Sequence, residues 1–244
     1  MESDARTRDL LLVALTVSTG AVDAISWLGL DKVFSAFMTG NLAFLGFRAG
    51  GAAGPSVPRV LAAVVAFALG AALSARVVGR AKAPGVVWPR RVTAALGLAL
   101  VAQGAFLILW VAVDGHPSSR VGDVLIAISS LAMGMQTAAI FSLGVRAVFT
   151  TAATATLAAL SGDLTDWSSS SAERRRLAAV IVGLFAGAAI GALLVDDFRT
   201  WAPVFPLSVT AVVIAAAAFA YSGAHLTARR RPVQSRDDDR AQAA

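Results

Sequence analysis

The chain has 244 residues, of which 57% are hydrophobic and 15% charged, with a mean hydropathy of +0.72 and a formal charge of +6. That is more apolar side chain than one soluble core of this size can bury, so lipid must be the solvent for much of it. The absence of cysteine excludes disulfides and thiolate metal sites, and two histidines 109 positions apart make zinc or haem chemistry a poor fit, so no cofactor is expected. The basic residues sit between apolar runs without interleaved aromatics, which argues against nucleic acid as a partner.

Apolar runs close to the ~20 residues needed to cross a bilayer begin around Leu10, Val60, Val92, Val121, Leu177 and Val204. The first extends past the length of a signal-peptide core, contains Asp23 and lacks a small-x-small cleavage site, so it is expected to remain as a membrane helix. Within it Thr16, Thr19, Gly20, Asp23 and Ser26 follow helical spacing and form one polar face. A carboxylate inside a membrane helix is costly enough to require a partner or a role. Three roles for Asp23 stay open: holding backbone groups freed by the break that follows, binding and releasing a proton during transport, or touching a substrate.

The stretch Gly20 to Gly46, GAVDAISWLGLDKVFSAFMTGNLAFLG, returns in degraded form about 115 residues later as GMQTAAIFSLGVRAVFTTAATATLAALSG from Gly134. Gly20 and Ala24 match Gly134 and Ala138 at an offset of 114. After a one-residue insertion, Gly29, Val33, Phe34, Thr39, Leu42 and Ala43 match Gly144, Val148, Phe149, Thr154, Leu157 and Ala158. Each copy joins an apolar helix with a polar stripe to a charged break and a second piece, about 33–47 and 148–161, too short and polar for an ordinary span. Backbone inside a membrane must be paired, buried or wet, so Thr39-Gly40-Asn41 and the equivalent Thr154-Ala155-Thr156 either cap and glue these short segments or line a polar pathway. Gln136 and Thr137 give the fourth span its own polar group, with Thr137 where the first copy has Asp23. Phe34, Phe37, Phe44, Phe47 and Phe149 read as packing around the breaks.

The third run of each copy also matches: Arg59 aligns with Arg176 at an offset of 117, and Ala66, Gly70 and Ser74 align with Gly183, Gly187 and Gly191. Small residues every fourth position make a face on which helix backbones approach closely. These two helices are expected to pack at the heart of the bundle or at a homo-oligomer contact. Trp88-Pro89 and Trp201-Ala202-Pro203 read as interfacial aromatic anchors, Ser168 to Ser171 with Glu173 as a helix N-cap, and Asp163 and Asp166 as solvated charges. His116 and His225 read as loop or interface residues.

Lysine and arginine collect in short cytoplasmic loops. Six crossings, with both short segments leaving on the side they entered, put 16 of the 21 basic residues inside and leave five outside. Full crossing by both short segments would export the basic loop from Arg76 to Arg91. Three crossings per copy is an odd number, so the second copy sits upside down relative to the first, the arrangement in which many transporters place a site at the repeat interface. The expected organisation is a cytoplasmic N-terminus (1–8), a first repeat (9–113), an external linker (114–120), a second repeat (121–226) and a disordered charged cytoplasmic tail (227–244) whose arginines face anionic head groups.

The motifs G-x-x-D-A at Gly20 to Ala24, V-F-x-x-x-x-T-G-N at Val33 to Asn41, G-M-Q-x-A at Gly134 to Ala138 and T-T-x-x-T-x-T-L at Thr150 to Leu157 resemble the YoaK-like family of bacterial integral membrane proteins, a domain of unknown function. Relatives often carry Asn where this chain has Thr137. The resemblance covers nearly the whole chain and implies a six-span protein of the bacterial inner membrane.

No phosphate-binding Gly-rich loop, nucleophile elbow, zinc-helix motif or dinucleotide fingerprint occurs, and an intramembrane aspartyl protease would need a second aspartate where Thr137 stands. An enzyme is therefore not expected. The leading expectation is an all-α membrane protein of two inverted three-span repeats, each with one short re-entrant or broken segment. It would work as a small-solute transporter or channel-like permease, open to proton coupling, with Asp23, Thr39, Gly40, Asn41, Gln136, Thr137, Thr154 and Thr156 around a polar midplane site. The competing expectation is a non-transporting scaffold, regulator or accessory subunit of a membrane complex.

Overall fold

The computed structural model describes residues 2–79, 86–145, 153–165 and 171–221. The expected roles of Arg146, Val148, Phe149, Thr150, Asp166, His225, the Ser168 end of the N-cap and the 227–244 tail lie outside the described residues, as does the side chain of Asp163.

Among the described residues the chain is all helical: α1 (Glu2–Gly29), α2 (Met38–Ala49), α3 (Val57–Val78), α4 (Arg90–Ala112), α5 (Ser119–Phe141), α6 (Ala153–Thr165), α7 (Ser171–Asp197) and α8 (Val204–Tyr221), with a short 3₁₀ turn at Arg199–Trp201. Six of these segments are long and apolar enough to cross a membrane. The two others have 12 and 13 residues, about 18–20 Å of helix at 1.5 Å per residue, short of a ~30 Å hydrocarbon core. The six long elements begin and end close to the apolar runs visible in the sequence.

Two hydrophobic clusters occupy the opposite ends of the bundle. The near end gathers Leu11, Leu12 and Leu15 from the start of α1, Val78 from the end of α3, Val92 from the start of α4, Ile140 from the end of α5, Leu177 from the start of α7 and Tyr221 from the end of α8. The far end gathers Ile25 and Leu30, Val60, Phe106 and Trp110, Leu125, Val195 and Ala202, which lie at the other termini of the same six elements. Thus α1, α4 and α7 run from near to far, and α3, α5 and α8 run back. Both the end of α1 and the start of α3 lie at the far end.

The tightest helix contacts join α1 to α7 and α3 to α5, with α1 against α8 and α4 against α5 next. Glycine makes the two tight seams possible. A Cβ on Gly187 would lie 2.0 Å from the Val17 carbonyl oxygen, and one on Gly20 would lie 2.2 Å from that of Leu184. Across the other seam a Cβ on Gly70 would lie 2.1 Å from the Leu131 oxygen, and one on Gly134 would lie 2.1 Å from that of Phe67. The offsets of 114 and 117 that align the two sequence copies carry each of these contacts onto its counterpart. The stripes Ala66, Gly70, Ser74 and Gly183, Gly187, Gly191 are all buried, and their glycines sit inside the chain's own seams rather than on an outer face.

Large apolar side chains point outward from the spans, with Phe219 88%, Phe185 76% and Ile108 73% exposed, as expected of surface solvated by lipid rather than water. Trp88 departs from the interfacial role expected of it. It is buried, its indole N–H donates to Thr93 Oγ1 at 2.9 Å, and its ring stacks on Tyr221 at an interplanar angle of 5°. The near-end core needs a large side chain there and supplies the indole with an acceptor. Trp201, its sequence counterpart, is exposed.

A pinned break and two matching cavities

Helix α1 stops at Gly29, and Asp31 and Lys32 follow with positive φ of 56° and 60°, a left-handed pair that carries the chain out of the helix at a cost of roughly 1–2 kcal/mol per residue. Residues 33–37 then run without regular backbone pairing, and side chains of α1 and α2 supply what is missing. The Ser35 and Ala36 amides donate to Asp23 Oδ1 at 3.0 and 2.8 Å, and the Ser35 amide also donates to Ser26 Oγ at 3.2 Å. Asn41, fully buried, grips Phe34 at both ends: its Oδ1 accepts from the Phe34 amide at 3.1 Å and its Nδ2 donates to the Phe34 carbonyl at 2.7 Å. Asp23 and Asn41 therefore both hold the break, the first of the roles open to each from sequence.

Aromatic rings wrap the same break. Trp27 stacks on Phe34 with centroids 4.6 Å apart, Phe37 meets Phe34 edge-on at 5.2 Å, and Phe44 extends the cluster. Between this wall and α7 lies a cavity of about 520 Å³ lined by Asp23, Ala24, Trp27, Leu28, Phe34 and Phe37 on one side, by Ala188 and Ala192 on the other, and by Thr154 from α6.

A second cavity, of about 880 Å³, lies between α3 and α5 and is lined by Ala71, Ala75, Arg76, Thr137, Ala138, Phe141 and Ser142 among others. Shifting its α5 residues by 114 and its α3 residues by 117 gives Asp23, Ala24, Trp27, Leu28, Ala188 and Ala192, which line the first cavity. The two cavities are thus formed from corresponding positions, and Asp23 and Thr137 occupy the same place in each. Thr137 donates to the Met133 carbonyl at 2.7 Å.

Of the sequence-predicted residues, the structure brings Asp23 and Thr154 to the far-end cavity and Thr137 to the near-end one. Gln136 is buried between the two copies, where its Nε2 donates to Thr19 Oγ1 at 2.9 Å while its Oε1 has no partner. Asn41 and Thr156 are buried, Thr39 is exposed, and Gly40 packs its α-carbon against the Phe37 and Phe34 rings. None of these four lines either cavity among the residues named there.

Arg59, one of the five basic residues that the charge count leaves outside, lies at the far-end start of α3 and is buried to 2% exposure. Its Nε donates to Asp123 Oδ1 at 2.6 Å, its Nη2 to the Ser119 carbonyl at 2.6 Å, and its Nη1 pairs with Asp31. One guanidinium thus ties the end of α1 and the start of α5 to the start of α3. The counterpart Arg176 faces Asp9 and Glu173 at 3.6 Å each at the near end, and Asp9 corresponds to Asp123 at the offset of 114. That aspartate match was the available signal, and it falls upstream of the repeated stretch that draws the eye. Gln103, buried on α4 with neither amide atom partnered, was also missed. It faces a void of about 20 Å³ beside Ser129, which is room for one water.

Six apolar spans, an outward apolar surface and polar groups turned inward define a multi-pass helical membrane protein. Residues 11–217 match the family model described as protein of unknown function (DUF1275), and the chain belongs to that family. It is 34% identical over 160 residues to the UPF0700 transmembrane protein YoaK of Bacillus subtilis (strain 168), an alignment covering 66% of this chain and 68% of the relative. No solved structure matches the chain.

Proposed function

We propose that the protein is a small-solute permease of the bacterial cytoplasmic membrane, built from two inverted three-span repeats at 9–113 and 121–226 joined by the external linker 114–120. In this reading α2 and α6 are re-entrant, both termini are cytoplasmic, and the near end of the bundle faces the cytoplasm. The observation that carries it is the pair of cavities cut from corresponding residues. Helices α1 and α5 run in opposite directions, so an operation relating them exchanges the two sides of the membrane, as alternating access requires.

The direction of the spans supports the re-entrant segments, since α1 ends where α3 begins. Arg6, Arg8, Arg76, Arg90 and Arg91 at near-end termini fit the cytoplasmic assignment. Asp23 then has two duties, pinning the break and facing the pathway, so that a proton or cation taken up there would be felt by the re-entrant backbone. Against the scaffold reading stands the occupation of the small-residue seams by the chain's own helices.

The absence of cysteine allows a direct test. Ala24→Cys and Ala138→Cys sit at corresponding positions of the two cavities. In intact cells a membrane-impermeant maleimide should reach Ala24→Cys from outside. In inverted vesicles it should reach Ala138→Cys. Conditions that raise one reactivity should lower the other. If neither cysteine reacts with a water-borne reagent, the cavities are not aqueous and the permease reading fails.

A further inference from the structure

We propose that the far-end cavity is a binding site for an organic monocation with a bulky apolar body. This deepens the permease reading by naming a cargo class, and it rests on that reading only for its biological meaning.

Among the described lining residues Asp23 is the one ionisable group, and the rest of the wall is aromatic, small or aliphatic apart from two threonines. A cavity of about 520 Å³ lies within the size range of sites for small organic molecules, roughly 300–1,000 Å³. Its polarity is concentrated at one carboxylate, which makes it a poor site for sugars or amino acids, whose several polar groups each need a partner. An anion would meet Asp23 with no compensating cation among the described lining residues.

Aromatic rings stand beside the carboxylate. Trp27 and Phe34 are stacked, Phe37 stands edge-on to Phe34, and all three line the cavity with Asp23. Ring faces attract cations, tryptophan most strongly, and the attraction grows where water is excluded. The amides of Ser35 and Ala36 are already committed to Asp23 Oδ1, so the carboxylate is held in place before a ligand arrives, which lowers the ordering cost of binding.

The near-end cavity is an internal contrast. There Thr137 replaces Asp23, Phe141 replaces Trp27, Ser142 replaces Leu28, and Arg76 stands at the lining. A cation that binds at Asp23 finds no counter-charge among the described residues at the corresponding place and meets a guanidinium instead. Tight capture is thereby confined to one end of the pathway.

The test is equilibrium dialysis of the full-length protein in mild detergent against tetraphenylphosphonium, with tetraphenylborate as an anion of the same shape. The expected result is saturable binding of one tetraphenylphosphonium per chain and no comparable binding of tetraphenylborate. Asp23→Asn keeps an acceptor oxygen for the Ser35 and Ala36 amides but removes the charge, and should weaken binding about tenfold or more. Trp27→Ala should weaken it by about 2- to 30-fold, with Trp27→Phe recovering part of the loss. If Asp23→Asn does not fold, the Trp27 pair decides.

Equal affinity for the two ions, absence of saturable cation binding, or binding indifferent to both positions would overturn the proposal. Saturable binding without reciprocal cysteine labelling would sink the permease reading and leave the site standing. Reciprocal labelling without cation binding would do the reverse.

Discussion

At the far end of the bundle Arg59 is buried and gripped by Asp31, Asp123 and Ser119, whereas at the near end its counterpart Arg176 holds Asp9 and Glu173 at 3.6 Å. The same contrast runs through the cavities: carboxylate and indole on one side, hydroxyls and a guanidinium on the other. Corresponding positions of the two halves keep the glycines that let their helices touch and differ in the charged and polar groups. Close packing leaves no freedom at the seams, since a single methyl would strike backbone. The groups at the ends and in the cavities are free to diverge, and that is where one-sided function can arise.

The seams should be equivalent, and breaking either should have the largest effect. Gly70→Val and Gly187→Val each drive a side chain into a carbonyl, so each should cost about 3 kcal/mol or more and abolish recovery of folded protein. Gly97→Ala and Gly104→Ala meet nothing within 4 Å and should be neutral or raise stability by up to about 1 kcal/mol. Yield of folded protein reads the two seam variants, and thermal unfolding in detergent reads the other two. A large difference between the two seam variants would undo the equivalence.

The ion pairs should be unequal. Arg59→Ala removes a buried guanidinium together with its bonds to Asp31, Asp123 and Ser119, and should cost about 2–4 kcal/mol, less than breaking a fully buried pair because Asp31 is open to solvent. Arg176→Ala, whose carboxylate partners stand 3.6 Å away, should cost less than Arg59→Ala. Urea unfolding of the paired variants checks the ratio, and equal losses would show that the near-end pair is as tight as the far-end one.

The break should respond to hydrogen-bond acceptors rather than to charge. Asp23→Ala orphans the Ala36 amide and leaves the Ser35 amide only Ser26 Oγ, and Asn41→Ala frees both polar groups of Phe34, so each should destabilise by about 1–3 kcal/mol, while Asp23→Asn should cost less than about 1 kcal/mol. Thr137→Val, at the position corresponding to Asp23, removes a hydroxyl rather than a charge and should cost less than Asp23→Ala. Comparing melting temperatures of these four variants separates the pinning role of Asp23 from any role its charge has in binding.

Much of the framework was legible because it rests on periodic signals. The six spans follow from runs of apolar residues whose length the bilayer sets, and the stripes at Ala66 to Ser74 and Gly183 to Gly191 follow from helical spacing. The Asp23 anomaly was equally plain, since a carboxylate in an apolar helix stands out. What pairs with what was not legible. Gly187 meets Val17, and Arg59 meets Asp123 across 64 positions, and no local pattern announces either contact. The threonines and asparagine of the breaks illustrate the same limit. Thr39 and Asn41 are two positions apart in one motif, yet one is exposed and the other fully buried against the backbone it holds.

By itself the sequence determined that this chain lives in a membrane, how many long helices it has, and which positions of its two halves match. Those properties depend on hydrophobicity and spacing, which are local and one-dimensional. Only the tertiary structure decided that the first helix of each copy packs on the third helix of the other, that Asp23 is tied to the break, and that two matching cavities lie toward opposite ends. These depend on which surfaces meet, and in a bilayer that choice is made by close backbone approach and by the need to pair every buried polar group.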